Sequence, residues 1–274
     1  MHSSIFFRGS VYYAGDALLS TVSTAALYGK GIFSTIPIRE SEISFWEKHW
    51  RRLTVNAAKV GLDISGFSEE VAQYSLHEII AKNNVNNGRA RITFFDESAG
   101  GIWSFETERK TSLLITTADS RGITDNFRLT VSPHRINTTS PLAGIKSCNY
   151  LEYLMAFEEA KTRGFDEVIR LNERGEIASA CMANVFWSKK GKLYTPSLKT
   201  GCMPGTTREY VLENLECFEV EAAFEELLSA EDIFLTSAGI GVVQIAEFEG
   251  IAMKRRPHRI LEVVPKWVSE KTKN

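Results

Sequence analysis

A polar, glycine-containing stretch, Ala118-Asp-Ser-Arg-Gly-Ile-Thr-Asp125, interrupts this chain of 274 residues and leaves a patterned block on either side. Such a break has the composition of a linker, and the chain is long enough for two modest domains with real cores. We therefore expect an N-terminal domain over 1–117, a linker over 118–126 and a C-terminal domain over 127–274.

The first block mixes both periodicities. Ile5 to Tyr13 alternates around a turn at Arg8-Gly-Ser10 and reads as strand. Ile43, Trp46, Trp50, Leu53 and Ala57 fall at helical spacing, so Ser41 to Ala58 is expected to be a helix. Glu69 to Asn83 reads as a second amphipathic helix, and Ala90–Phe95 and Ser112–Thr117 as strands. The block is thus expected to be α+β, a mostly antiparallel sheet with two helices. Between these elements lies Tyr28-Gly-Lys-Gly31-Ile-Phe33-Ser34-Thr35, two close glycines leading into a β-branched strand. A tight turn and a ligand-binding loop both fit that pair. Arg52 lies on the first helix, where an arginine is usually solvated and an anion site is the alternative.

The second block carries the chemistry. Ser132 to Ala143 is a Pro- and Thr-rich loop that feeds Leu142-Ala-Gly-Ile-Lys146-Ser-Cys-Asn-Tyr150. Lys146 stands among small and apolar residues, and an amine desolvated in this way has a lowered pKa and serves as a Schiff-base nucleophile or proton shuttle. Asn149–Arg163 reads as a helix ended by Gly164, Glu167–Leu171 and Val185–Ser188 as strands, and Asn172–Gly175 as the turn after the first. Gly201-Cys-Met-Pro-Gly205-Thr206-Thr207-Arg208 runs into a helix ending at Asn214. Its first backbone N–H groups point outward and suit a phosphate, although an N-terminus with no ligand has the same spacing. Ala230 to Gly239 is a strand ending in Thr236-Ser237-Ala238, a second place for a hydroxyl to meet phosphate.

Composition narrows the partners. A net charge of −2 supplies no field for nucleic acid or an anionic membrane, and no apolar run approaches the roughly 20 residues of a membrane span. The opening Met1-His-Ser-Ser-Ile-Phe-Phe lacks the charged region and cleavage site of a signal peptide. Four cysteines without a CxxC pair and five scattered histidines argue for reduced thiols and against a metal site. The expectation is a cytoplasmic protein acting on small molecules.

Taken in order, Tyr28-Gly-x-Gly31-x-Phe33, His49-x-x-Arg52-Leu53, Leu142-Ala-Gly-Ile-Lys146-x-x-Asn149-Tyr150, Ala183-Asn184-Val-Phe186-Trp187, Thr195-Pro196, Gly205-x-Thr207-Arg208 and Thr236-Ser237 resemble the class IV aminotransferases. These are fold-type IV pyridoxal-phosphate enzymes: branched-chain aminotransferases, D-amino-acid aminotransferases and aminodeoxychorismate lyases. The resemblance implies a two-domain α/β and α+β fold with the active site at the domain interface, completed across a homodimer. It implies pyridoxal 5'-phosphate on Lys146, with Arg52, the N–H groups of Thr206 and Thr207, and Ser237 at its phosphate. Tyr150 would stand near the phenolic oxygen, and Asn184 and Ser179 elsewhere along the cofactor. Tyr28, Ser34 and Ala238 would face the amine substrate.

Departures from the family pattern bear on reaction type. Ser179 occupies the place where the family has a glutamate on the pyridine nitrogen, with Glu176 three residues earlier. A carboxylate there stabilises the pyridinium and the carbanion beside it; a serine supports a neutral, weaker electron sink. Ser34 stands where aminotransferases carry glutamate, Lys30 replaces the acid of the Gly-x-Gly motif, and Asp96 takes the place of a basic residue that reads a substrate carboxylate. An elimination ending in an aromatic ring needs the sink least, so the expected activity is aminodeoxychorismate lyase-like, releasing pyruvate and 4-aminobenzoate. The alternatives are an aminotransferase for branched-chain or D-amino acids and a divergent pseudoenzyme that keeps the cofactor pocket.

Overall fold

The computed structural model describes residues 1–100 and 109–264, and the chain divides into two compact units. The first comprises Met1–Arg121 and, returning from further along the chain, Ile145–Asn149. Its sheet is built from β1 (Ser4–Phe7), β2 (Ser10–Tyr13), β3 (Gly31–Arg39), β4 (Glu42–Ile43), β5 (Gly88–Asp96) and β6 (Thr111–Asp119). The order is β2-β1-β6-β5-β3-β4, antiparallel throughout, as the alternating pattern led us to expect. With α1 (Thr24–Tyr28), α2 (Trp46–Lys59) and α3 (Glu69–Lys82), the unit buries Ile32, Ile36, Leu53, Ala57, Leu76, Ile79, Ile92 and Phe94 in one cluster. Burying a side chain of this size contributes about 1.5–3 kcal/mol over leaving it exposed.

One boundary differs from the sequence expectation. The helix expected from Ser41 begins at Trp46, because Ile38 pairs with Ile43 and Arg39 with Glu42 across a two-residue turn. Both turn residues are left-handed, Glu40 at φ 52° and Ser41 at φ 65°, the geometry of the hairpin turns whose twist matches that of the strands.

Within the same unit the two neighbouring glycines have separate structural duties. Gly29 caps α1 at φ 65° and donates to Ala25 O. A Cβ on Gly31 would stand 2.8 Å from Phe94 O and 3.0 Å from Cys148 Sγ, so Gly31 is there for close approach. That approach seats the returning segment on the edge of β3: Phe33 N–H donates to Lys146 O at 2.9 Å, and Cys148 N–H to Gly31 O at 2.8 Å.

The second unit comprises Gly122–Gly144 and the chain from Tyr150 onward. Its strands are β7 (Arg128–Val131), β8 (Glu167–Leu171), β9 (Ile177–Ala180), β10 (Asn184–Lys189), β11 (Lys192–Pro196), β12 (Phe218–Val220), β13 (Asp232–Ser237), β14 (Gly241–Gln244), β15 (Glu247–Phe248) and β16 (Ile251–Ala252). They form two five-stranded sheets, β12-β11-β10-β13-β14 and β16-β15-β7-β8-β9. One apolar cluster draws on both, joining Leu129, Ile169, Ile177, Val185, Trp187, Ile233, Leu235 and Phe248. Of the helices α4 (Leu151–Thr162), α5 (Thr206–Asn214), α6 (Glu225–Leu228) and α7 (Ile260–Val263), the first packs Ala156 and Ala160 on Val168 of β8. Among the described residues no helix is long and apolar enough to cross a membrane, and no group of histidine, cysteine and acidic side chains could hold a metal ion.

Candidate active site

Lys146 lies in the first unit, held by its backbone on β3 beside Phe33. Its side chain is partly accessible, and its Nζ lies 4.4 Å from the centre of the Phe33 ring. Loss of hydration, then the charges of Arg52 and Arg91, push the amine well below its ordinary range. The charged form of this amine is thus disfavoured, the direction expected from the sequence, and a lowered pKa suits a nucleophile or proton acceptor.

Beside it, β3 and α2 bring together three groups distant in sequence. Ser34 Oγ lies 2.7 Å from His49 Nδ1 and 2.7 Å from Arg52 Nη2, and both Ser34 and His49 are fully buried. A guanidinium only donates, so Ser34 Oγ accepts from Arg52, and it shares a second hydrogen bond with His49 Nδ1. Burial foremost, with Arg52 and Lys146 nearby, holds its pKa well below the usual histidine value. In this chain Arg52 is not a surface arginine; it helps fix Ser34. Tyr28, at the end of α1, is exposed.

The sign of the resulting pH dependence follows from the depressed histidine. The unfolded chain protonates His49 below about pH 6.5, whereas the folded chain does not until well below that. The unfolded state then binds more protons, so stability is complete above pH 6.5 and falls as the pH drops beneath it. His49→Gln keeps an acceptor for Ser34 without titrating. Between pH 6.5 and 5 we expect it to lose up to about 2 kcal/mol less stability than the parent; parallel urea titrations of the two proteins check this.

The second unit supplies a different set. Gly205 caps α5 with extended dihedrals and no side-chain hydrogen bond, so the helix opens on backbone N–H groups. Thr206 and Thr207 are buried in its first turn. Thr207 Oγ1, and Thr236 Oγ1 at the end of β13, are buried hydroxyls without a hydrogen-bond partner, an arrangement that calls for an outside acceptor. Asn184 pairs with Thr236 across β10 and β13 and donates from Nδ2 to Met203 O at 2.8 Å. Its Oδ1 lies so close to Gly205 that a Cβ there would stand 2.0 Å away. Asn184 thus shapes the loop that presents α5. Ser237 Oγ accepts from Gly239 N–H at 3.3 Å, in the turn that contains Ala238.

Tyr150 precedes α4, stacks on Tyr153 at 4.3 Å and donates its hydroxyl to Cys181 O at 2.9 Å. Ser179 is buried on β9, opposite Arg170 on β8. Glu176 is drawn into the preceding turn by Arg174 Nη2 and Asn172 Nδ2, both at 2.7 Å, and these contacts lower its pKa. Glu167 is buried on β8, where its Oε1 accepts from the N–H groups of Val168 and Cys181.

At position 96, Asp96 Oδ2 pairs with Lys30 at 3.0 Å and Arg109 at 3.1 Å, and Oδ1 accepts from Ser98 N–H. The two departures noted at Lys30 and Asp96 are therefore one ion pair. Sequence reading passed over His49 as a partner of Ser34, and Arg91 and Arg170 as site neighbours. Arg91 leaves a trace in the pattern, as the one charge within the expected strand Ala90–Phe95.

Residues 31–248 match the family described as amino-transferase class IV. The aminodeoxychorismate lyase of Bacillus subtilis is 26% identical over 257 residues, which cover 90% of this chain and 87% of that protein. The branched-chain-amino-acid aminotransferase of Escherichia coli is 24% identical over 264 residues, 90% of this chain and 85% of that protein. The solved structure of that E. coli enzyme superposes with a TM-score of 0.88 at 22% identity, covering 96% of this chain and 92% of the other. The T.th. branched-chain amino acid aminotransferase, solved with pyridoxamine 5'-phosphate, gives a TM-score of 0.86 at 20% identity, again over 96% and 92%. At these identities the structural likeness establishes the fold.

Proposed function

The chain belongs to the class IV aminotransferase family of enzymes, and on that premise we propose that it holds pyridoxal 5'-phosphate and acts as an aminodeoxychorismate-type lyase. The residues fit the cofactor. Lys146 offers an amine whose pKa lies well below the usual lysine range. The opening N–H groups of α5 at Thr206 and Thr207, the unpartnered Oγ1 atoms of Thr207 and Thr236, and the hydroxyl of Ser237 suit a phosphate. Arg52 would add positive charge, and Asn184 would keep the α5 loop open. Tyr150 and Ser179 would border the ring, and Tyr28, Ser34 and Ala238 the substrate.

When bound, the cofactor would supply an aldehyde that captures the substrate amine and a ring that withdraws electrons from the adjacent carbon. Lys146 Nζ would take the proton from the carbon bearing that amine. The electron pair released enters the six-membered ring as the bond to the enolpyruvyl oxygen breaks, leaving 4-aminobenzoate. The expelled enolate takes up a proton and becomes pyruvate. Burial first, then the charges of Arg52 and Arg91, lower the pKa of Lys146, which would ready it to accept that proton.

The observation that carries this reading over transamination is the environment of position 179. A serine stands there, and Glu176, three residues earlier, and Glu167, on the neighbouring strand β8, are engaged elsewhere. Without a carboxylate to hold the pyridinium, repeated proton transfer at a carbanion is disfavoured. An elimination driven by aromatisation is not. The aminotransferase reading is supported by the E. coli relative.

Incubation with 4-amino-4-deoxychorismate in the absence of any keto acid tests the choice. We expect pyruvate and 4-aminobenzoate in equal amounts, and Ser179→Glu should slow their release while raising amino transfer to 2-oxoglutarate by about ten-fold or more. Amino transfer by the parent protein without pyruvate release would replace this reading with the aminotransferase one.

A further inference from the structure

We propose that Arg170 and Ser179 act as a pair that keeps the ring nitrogen of the bound cofactor unprotonated, Ser179 by donating its hydroxyl to that nitrogen and Arg170 by opposing a second positive charge beside it. This rests on the reading in which Ser179 borders the ring. Arg170 and Ser179 are Cα partners on β8 and β9. Directly opposed residues carry their side chains on one face of a sheet, with Cβ atoms about 4.5–5.5 Å apart. That face is the one α4 covers: Val168 and Cys181 pack there with Ala156 and Ala160, and the guanidinium carbon of Arg170 stands 4.7 Å from the centre of the Tyr153 ring. Both Arg170 and Ser179 are buried, so the charge of one acts on the surroundings of the other with little screening by water.

Arg170 is among the largest fully buried side chains of the protein, and a guanidinium stays charged when buried. Nε donates to His134 O at 3.4 Å and Nη2 to Arg135 O at 3.0 Å, which braces the loop before Lys146 but cancels no charge. Nη2 also meets Glu152 Oε2 at 3.2 Å. The Glu152 side chain is exposed, and water weakens its hold. The other ionisable groups around the guanidinium are Tyr153, Cys181 and Cys202, and burial raises the pKa of each, so none adds negative charge near neutrality. Glu167 gives Oε1 to the N–H groups of Val168 and Cys181.

The pairing explains why a serine suits position 179. A glutamate there would face the guanidinium at cross-strand range and be drawn to it, losing its hold on a ring nitrogen. A serine makes no ion pair and leaves the positive field intact. A like charge nearby disfavours the protonated form of a ring nitrogen, and an unprotonated nitrogen accepts the hydrogen bond that a hydroxyl can give. Arg170 is thus a tuning residue that acts through the cofactor's surroundings.

The test loads the protein with pyridoxal phosphate isotopically labelled at the ring nitrogen and follows the nitrogen NMR signal between about pH 6 and pH 9. Protonation moves this signal far upfield, so it is read whether or not the protein turns over. The parent is expected to keep an unprotonated signal throughout. Ser179→Glu should raise the apparent pKa of the ring only in part, because Arg170 competes for the new carboxylate. Adding Arg170→Gln or Arg170→Met should raise it by about one unit or more again; adding Arg170→Lys, which keeps the charge, should not. A protonated ring in the parent at neutral pH overturns the proposal without any change at Arg170, so the result does not hang on those variants folding. A ring pKa in Ser179→Glu that is unmoved by loss of the Arg170 charge also overturns it, and leaves Arg170 as a brace for the loop alone. A parent that takes up no labelled cofactor removes the cofactor reading and this inference with it, whereas a protonated ring removes the inference only.

Discussion

Lys146→Ala is expected to reduce turnover by at least about 10⁴-fold and to remove the visible absorption band of lysine-bound cofactor. No other amine in the described structure combines its features: a backbone pinned to β3 by Phe33 N–H, a head over the Phe33 ring, and a pKa driven well down by lost hydration and two neighbouring arginines. A positioned proton acceptor alone accounts for about 10²–10⁴ in rate, and loss of the covalent anchor adds to it. The same substitution should not lower the melting temperature of the cofactor-free protein. A desolvated amine among cations is a functional expense to the fold, and removing it relieves repulsion. Single-turnover rates, a visible spectrum and a thermal melt together decide the matter. A retained band would show that another amine anchors the cofactor. Lost activity with a strongly destabilised apoprotein would show that Lys146 serves mainly the fold.

Much of this arrangement was legible in the sequence because it depends on local pattern. The helical spacing of Trp46, Leu53 and Ala57 reflects one buried face, and that helix is present, as is the strand expected over Ala90–Phe95. So is the glycine-led start of α5, where Gly205, Thr206 and Thr207 have their expected places. What escaped depends on contacts distant in sequence, or on residues that break a local rule. The Glu40–Ser41 turn has no asparagine or glycine to announce two left-handed residues, so its strand β4 reads as the start of a helix. Strand β9, Ile-Ala-Ser-Ala, is buried on both faces and shows no alternation. The link between Ser34 and His49 joins a strand to a helix, and the Lys30–Asp96 pair joins residues far apart along the chain. Each of these is a tertiary solution, and one-dimensional periodicity carries no record of it.

Gly205→Ala is expected to cause the largest loss among substitutions outside the reacting groups, because the collision it creates has one identifiable cause. Gly205 has φ −71° and ψ 139°, dihedrals that alanine adopts without strain. The obstacle is space: the new Cβ would stand 2.0 Å from Asn184 Oδ1. Asn184 is buried, and its Nδ2 is committed to Met203 O. Relief requires turning the amide, breaking that bond, or moving the start of α5. Overpacking of this kind costs about 1–3 kcal/mol and leaving a buried amide unpaired a similar amount. Either adjustment also disturbs the N–H groups at Thr206 and Thr207, so affinity for pyridoxal phosphate should fall by about ten-fold or more. The double variant Gly205→Ala with Asn184→Ala identifies the mechanism. With the offending oxygen gone, the methyl group has somewhere to go, and the pair should be markedly less harmful than the sum of the single changes. Strict additivity in chemical denaturation and in cofactor titration would mean that the glycine answers to something other than Asn184.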